Sequence, residues 1–247
     1  MRIAVVSDIH GNLEALEAVL ADLRLTSPDL VFHGGDLAHG GARPAEVVDR
    51  IMELRWAGVC GNTDEMLWAP EQLREFAEKS PTFQALLNLV EDIIPEVCAR
   101  LGEDRMRWLK SLPYAQRLSS MAVVHASPSD LWRAPLPDAS DHELIRVFGE
   151  LEAPIVVYSH IHRPFVREMA TMTVANAGSV SLSYDGDPRA SYLIMDQTRV
   201  SADEPKVWSR RVEYDLEREG QALLRSGLPH AEWLCRMLRG AKSAASA

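Results

Sequence analysis

The feature that most constrains this chain is a recurring pair: a short apolar run rich in β-branched residues, followed within a few positions by a side chain that can bind metal. Ile3 to Val6 leads to Asp8 and His10, Leu30 to Phe32 to Asp36, and Val59 and Cys60 to Asn62. Ala122 to Val124 leads to His125, and Ile155 to Tyr158 to His160 and His162. Each run is too short for a helix, and none alternates apolar with polar. Continuous apolar runs of this length are strands covered on both faces, which points to an α/β fold.

The segments between the runs agree. Leu13, Leu16, Leu20 and Leu23 share one helical face, with Glu14 and Glu17 in the early turns where negative charge suits the helix dipole. Pro44 to Leu54 reads as a second helix with Pro44 at its first position. The order β-α-β-α-β follows, with right-handed crossovers. From about Glu65 to Leu112, Phe83, Leu86, Leu87, Val90, Ile93, Ile94 and Val97 recur at helical spacing between Pro70, Pro81 and Pro95. This segment reads as a helical insertion, placed either to roof a site at the strand ends or to cover a sheet face. Phe165 to Val166, Thr171 to Ala175 and Tyr192 to Met195 read as further strands, and about 214–240 as a helical tail. The last residues, 242–247, are expected to lack structure. One domain spanning 1–247 accommodates all of this.

Composition narrows the function. The chain has 247 residues, 47% hydrophobic and 25% charged, the balance of a soluble globular protein. No stretch approaches the ~18 apolar residues needed to span a bilayer, and the short apolar run at the start is no signal sequence, so a cytoplasmic location is expected. Cys60, Cys98 and Cys235 are widely spaced, which argues against both a disulfide framework and a thiolate zinc site. A formal charge of −10 opposes nucleic-acid binding but leaves room for a small anionic substrate drawn by local metal charge.

The ordered set Asp8-x-His10, Gly35-Asp36, Gly61-Asn62-x-Asp64, His125 and His160-x-His162 carries the chemistry. Carboxylate, amide and imidazole together suit two divalent ions such as Mn, Fe or Zn. Asp8 and Asp36 supply two negative charges against four positive ones, so the cluster stays positive and attracts phosphate. Two such ions about 3.5–4 Å apart acidify a bridging water and hold it for attack on phosphorus. Taken singly, each element also fits an ordinary turn or a hydrogen-bonded core histidine. Five in this order do not fit chance.

These motifs resemble the calcineurin-like metallophosphoesterases, whose signature runs DxH, GDx, GNxD/E, H and GHxH. The resemblance covers residues 1 to about 195 and implies a four-layer α/β/β/α sandwich of two mixed sheets. Carried over by motif, Asp8, His10, Asp36 and His162 hold one ion. Asp36, Asn62, His125 and His160 hold the second, with Asp36 as the bridge. Asn176 to Ser179 and Asp187 to Tyr192 are similar to the turn and return strand of the small bacterial phosphodiesterase-like branch. The resemblance implies hydrolysis of a phosphodiester by a metal-bridging hydroxide. A phosphomonoesterase is the nearby alternative, and a scaffold that keeps the fold without the chemistry, as a retromer subunit of this family does, is the distant one.

Two departures stand out. Ser159 replaces the GHxH glycine, and Thr63 replaces the histidine that many members carry after the motif asparagine, which in the family can protonate the leaving oxygen. Threonine cannot supply that proton near neutral pH. His39 and Arg163 are the candidate substitutes, and Arg163 is also a candidate contact for substrate phosphate. Asp36, Asn62, His125, Asp64, His39 and Arg163 therefore form the catalytic set to be located. His33, beside the second strand, reads as structural. Of the tryptophans, Trp68 and Trp132 lie nearest the motif loops. Whether the chain forms a homo-oligomer is left open.

Overall fold

The computed structural model describes residues 1–196 and 206–242. Ten strands and ten α-helices are found among them. In chain order the first half comprises β1 (Arg2–Val6), α1 (Leu13–Thr26), β2 (Leu30–His33), α2 (Pro44–Leu54), β3 (Ala57–Gly58), α3 (Asn62–Glu65), α4 (Pro70–Glu78), α5 (Pro81–Gln84), α6 (Leu87–Glu91) and α7 (Ile94–Lys110). The second half comprises β4 (Ala115–Arg117), β5 (Ala122–Val124), α8 (Asp141–Phe148), β6 (Ile155–Tyr158), β7 (Phe165–Glu168), β8 (Thr173–Asn176), β9 (Ala190–Asp196), β10 (Lys206–Val212), α9 (Leu216–Arg225) and α10 (Ala231–Gly240).

The strands form two five-stranded sheets, ordered β10-β9-β1-β2-β3 and β4-β5-β6-β8-β7. Both are mixed. β1, β2 and β3 run parallel, β9 runs antiparallel to β1 and β10 antiparallel to β9, and β5, β6 and β8 run parallel between antiparallel β4 and β7.

The pleat explains the unbroken apolar runs. Ile3 and Val5 of β1 join Val123, Ile155, Val157 and Leu193 in a core between the sheets. Ala4 and Val6 point the other way, into a core with Leu16, Val19 and Leu20 of α1, Val47, Val48 and Ile51 of α2, and Leu234 and Leu238 of α10. Val124, Val156 and Val174 turn outward to Leu144 and Phe148 of α8. Each central strand is thus apolar on both faces, and the layers stack helix, sheet, sheet, helix.

Local signals set the boundaries. Asn12 caps α1 by accepting from the Ala15 amide at 2.9 Å, and Pro44 opens α2. Several strand boundaries differ from the sequence reading, most clearly at the third and eighth strands. The third strand is Ala57–Gly58, because the chain leaves the sheet at Cys60, whose amide donates to the Pro113 carbonyl at 2.9 Å. The run read from Thr171 is paired only from Thr173. Strands β4 and β10 were not legible in advance. Residues 65–112 contain α4 to α7, and residues 214–240 contain α9 and α10. The end expected to be unstructured falls, beyond residue 242, outside the described residues.

Candidate metal centre

The site assembles where β1, β2, β5 and β6 end and their backbones turn. Among the described residues, ten non-glycine positions adopt positive φ, and five are Asp8, His10, Asp36, His160 and His162, at 49° to 67°. This left-handed backbone breaks each strand sharply and aims the side chain inward. The loops pack too tightly for extra atoms. A Cβ on Gly61 would lie 2.1 Å from Asp36 Oδ1, and one on Gly11 would lie 2.7 Å from the Ala38 carbonyl.

All seven motif residues converge. Ligand atoms of Asp8, His10, Asp36 and His162 lie within 4.8 Å of one another. His10 Nε2 is 3.3 Å from His162 Nε2, and His162 Nε2 is 3.1 Å from Asp8 Oδ1. On the other side, Asn62 Oδ1 is 2.9 Å from both His125 Nε2 and His160 Nδ1. Asp36 stands between the groups, with Oδ2 3.7 Å from His10 Nε2 and Oδ1 3.5 Å from His125 Nε2. Of the seven, His160 alone is more than marginally exposed.

The histidines are oriented from behind. His10 Nδ1 donates to the His39 carbonyl at 2.7 Å, His125 Nδ1 to the Gly34 carbonyl at 2.7 Å, and His162 Nδ1 to the Leu182 carbonyl. A carbonyl only accepts, so each Nδ1 carries a proton and each Nε2 is turned toward the cluster, the arrangement found behind metal-bound imidazoles. Both Asp8 carboxylate oxygens are buried, and Oδ2 has no hydrogen-bond partner, while Oδ1 has only the His162 Nε2 contact. A buried carboxylate with an oxygen left unpartnered among converging imidazoles suits cations at the cluster.

Electrostatics of the chain alone agree for His10 and His160. Burial pulls His10 below its ordinary range, and burial with neighbouring His125 brings His160 down to about 4, so both are neutral and ready to ligate at pH 7. Burial pulls His162 down as well, but the Asp8 carboxylate outweighs it and raises His162. Burial pushes Asp8 up, and His162 more than offsets it, holding Asp8 low.

The other expected residues fall in three different places. Asp64 is fully buried and faces away from the cavity, its carboxylate accepting from the amides of Asp36 at 2.8 Å, Leu37 at 2.9 Å and Gly61 at 3.1 Å. It ties the Asp36 loop to the Asn62 loop and is not free to orient a side chain at position 63. His39 lines the cavity, with Nε2 donating to the Val90 carbonyl at 3.3 Å, and burial brings it down to about 4. Arg163 is exposed, donates from Nε to the Tyr184 carbonyl at 3.1 Å, and is not part of the cavity wall. Thr63 lines the cavity with its Oγ1 unpartnered, while its amide donates to Asp36 Oδ1 at 2.9 Å.

The cluster opens into a cavity of about 250 Å³. Its walls come largely from the inserted helices, through Met66, Leu73, Phe76, Phe83, Leu86 and Val90, and from Trp233, Leu234 and Met237 of α10. Trp132 and Leu182 complete them, and Tyr184 stacks on the His162 ring at 4.4 Å with 17° between planes. Trp68 is packed against the core instead. A second cavity of about 270 Å³, beyond the Phe76 and Trp132 pair, contains none of the cluster residues. Sequence reasoning missed Tyr184 and the α10 wall. The helical spacing of α10 was legible, but nothing in that spacing names the surface it covers, and Tyr184 follows no recognisable signal.

Known proteins match this architecture. Residues 1–199 match the calcineurin-like phosphoesterase superfamily domain. An uncharacterized protein of Methanocaldococcus jannaschii, MJ0912, is 30% identical over 253 residues, spanning 94% of this chain and 95% of its own length. Phosphodiesterase YfcE of Escherichia coli is 27% identical over 211 residues, 81% of this chain and 90% of its own. The crystal structure of a metallophosphoesterase from Sphaerobacter thermophilus aligns with a TM-score of 0.76 at 27% identity, across 98% of this chain and 100% of that one. With two mixed sheets and an Asp and His candidate metal site at their strand ends, this chain belongs to the calcineurin-like phosphoesterase superfamily.

Proposed function

We propose that this protein hydrolyses phosphodiesters with two divalent metal ions. Asp8, His10, Asp36 and His162 hold one ion, and Asp36, Asn62, His125 and His160 hold the other. The observation that carries the reading is the placement of Asp36, whose two oxygens face the two halves of the cluster separately. The mixed donor set suits Mn, Fe or Zn. When bound, the ions supply Lewis acidity and a nucleophilic water at neutral pH.

The chain's own residues do the rest. The His39, Gly34 and Leu182 carbonyls fix three imidazoles in the ligating tautomer. Asp64 holds the two loops that carry Asp36 and Asn62 in register. The apolar walls exclude water from the reacting centre and thereby strengthen every charge interaction inside it. Among the described residues, no Lys or Arg lines the cavity, which favours the single charge of a diester over a monoester dianion. Three free cysteines fit a reducing cytoplasm, and no helix among the described residues is long and apolar enough to cross a membrane.

The test is elemental analysis of protein reconstituted with Mn, followed by a screen of aryl phosphodiesters and monoesters. Two ions per chain and faster diester turnover are expected. Asp36→Asn is expected to lose metal from both halves and to keep its circular-dichroism spectrum. No bound metal, or wild-type turnover by Asp36→Asn, refutes the proposal.

A further inference from the structure

The cavity over the metal cluster joins two chemistries. Its floor is imidazole, carboxylate and amide, and its walls are hydrocarbon and aromatic. We infer that the substrate is a compact phosphodiester bearing one aryl or similarly sized apolar substituent, and that the insertion and α10 together hold that substituent. This rests on the phosphodiesterase reading above and adds what stands on the far side of the phosphate.

Charge is the first argument. The two ions assigned to the floor answer one phosphate, and among the described residues no cation lines the walls to answer a second. A nucleoside polyphosphate would place charge against Phe83, Leu86 and Met237, where nothing compensates it.

Hydrogen bonding is the second. A base or ribose brings several donors and acceptors that must be paired once desolvated. The walls offer few partners, since His39 Nε2 is engaged by the Val90 carbonyl and Trp132 Nε1 donates outward to Glu65 at 3.1 Å. Thr63 Oγ1 remains without a partner beside Asn62, and the Tyr184 ring lies against His162 at the floor. An apolar group leaves no such debt.

Size is the third. About 250 Å³ within the walls gives room for one ring or a short chain beside the ester. The wall is also built twice over, from the insertion and from α10 more than a hundred residues later. Val90 fastens the insertion to the metal loop through His39, and Asp92, just after α6, accepts from His230 Nε2 at the start of α10 at 2.8 Å.

The experiment uses the full chain loaded with Mn and two singly charged diesters with poor leaving groups, dimethyl phosphate and diphenyl phosphate, in calorimetric titrations. Full burial of one phenyl ring predicts a Kd about 10- to 100-fold lower for the diphenyl ester. Equal values overturn the inference, whatever the turnover. In parallel, p-nitrophenyl phenyl phosphate is expected to exceed p-nitrophenyl methyl phosphate at least tenfold in kcat/KM, the leaving group being shared. A p-nitrophenyl ester of thymidine 5′-phosphate that matches the phenyl ester overturns the assignment of an apolar substituent. If no ester turns over, the phosphodiesterase reading falls, and the binding ratio still decides this one. Leu86→Asn and Trp233→Ser are each expected to cut the binding ratio at least threefold while keeping the wild-type circular-dichroism spectrum and metal content. An unchanged ratio in both removes these elements from the substrate wall. Should either variant misfold, the wild-type ratio alone carries the test.

Discussion

His33, at the end of β2, sets a measurable acid limit on the fold. Its side chain is fully buried, neither ring nitrogen has a partner, and its nearest ring neighbour is Trp108 at 6.0 Å. Burial alone pulls it down to about 3. The unfolded chain, with an ordinary imidazole near 6.5, takes up a proton that the native state refuses across the interval from about 6.5 to about 3. Stability is therefore complete above about pH 6.5 and is lost as the pH falls. At pH 5 the loss spans about 1.5 pH units at 1.36 kcal/mol each, or about 2 kcal/mol relative to pH 8. That is a large share of a net stability of about 5–15 kcal/mol. His33→Phe keeps a planar ring and removes two unpaired nitrogens, so it is expected to raise stability at pH 8 by about 1–3 kcal/mol. It should also shrink the pH 8 to pH 5 difference by about 2 kcal/mol. The assay is urea unfolding of both proteins at the two pH values with metal chelated. His10, His39 and His160 are also held low and titrate alike in both chains, so the double difference isolates position 33. An identical pH difference in the two proteins refutes the reasoning.

Three further outcomes follow from side-chain placement. Asp64→Ala, which leaves three loop amides without their shared acceptor, should lower metal affinity about 10- to 100-fold in a chelator competition, and unchanged affinity would deny the clamp. Thr63→His places an acid at the cavity wall and should raise turnover of esters with poor leaving groups at least tenfold more than that of p-nitrophenyl esters. A uniform change across a leaving-group series would show that the absent acid does not set the substrate range. Arg163→Ala, which removes an exposed side chain bound to the Tyr184 carbonyl, should leave kcat/KM within about twofold, and a hundredfold loss would return Arg163 to the site.

Much of the candidate metal cluster was legible because its residues obey a local rule: each follows a strand that must be apolar on both faces, so run and candidate ligand stay adjacent in the sequence. The β1 run with Asp8 and His10, and the β6 run with His160 and His162, show this directly. What escaped notice depends on contacts between distant segments. Trp233 and Met237 occupy an apolar stripe that would look the same on any helix packed against any surface, and α10 lies beyond the residues that match the family. Asp64 reads as a motif acid in the sequence, yet its role is decided by backbone amides, which carry no residue code. Strand β10, running from Lys206 to Val212, mixes Trp208 with Arg210 and Arg211 and so lacks a clean apolar run.

The left-handed backbone at Asp8, His10, Asp36, His160 and His162 sets catalysis against folding. Each such residue costs roughly 1–2 kcal/mol that glycine would not, with aspartate at the lower end. Mutation released from selection for turnover therefore has a downhill direction at these positions, toward glycine and a sturdier fold without metal. A chain kept only as a scaffold would be expected to drift that way. This one has all five strained residues, together with Asn62 and His125, and so carries a standing instability whose return is the convergence of seven candidate ligands.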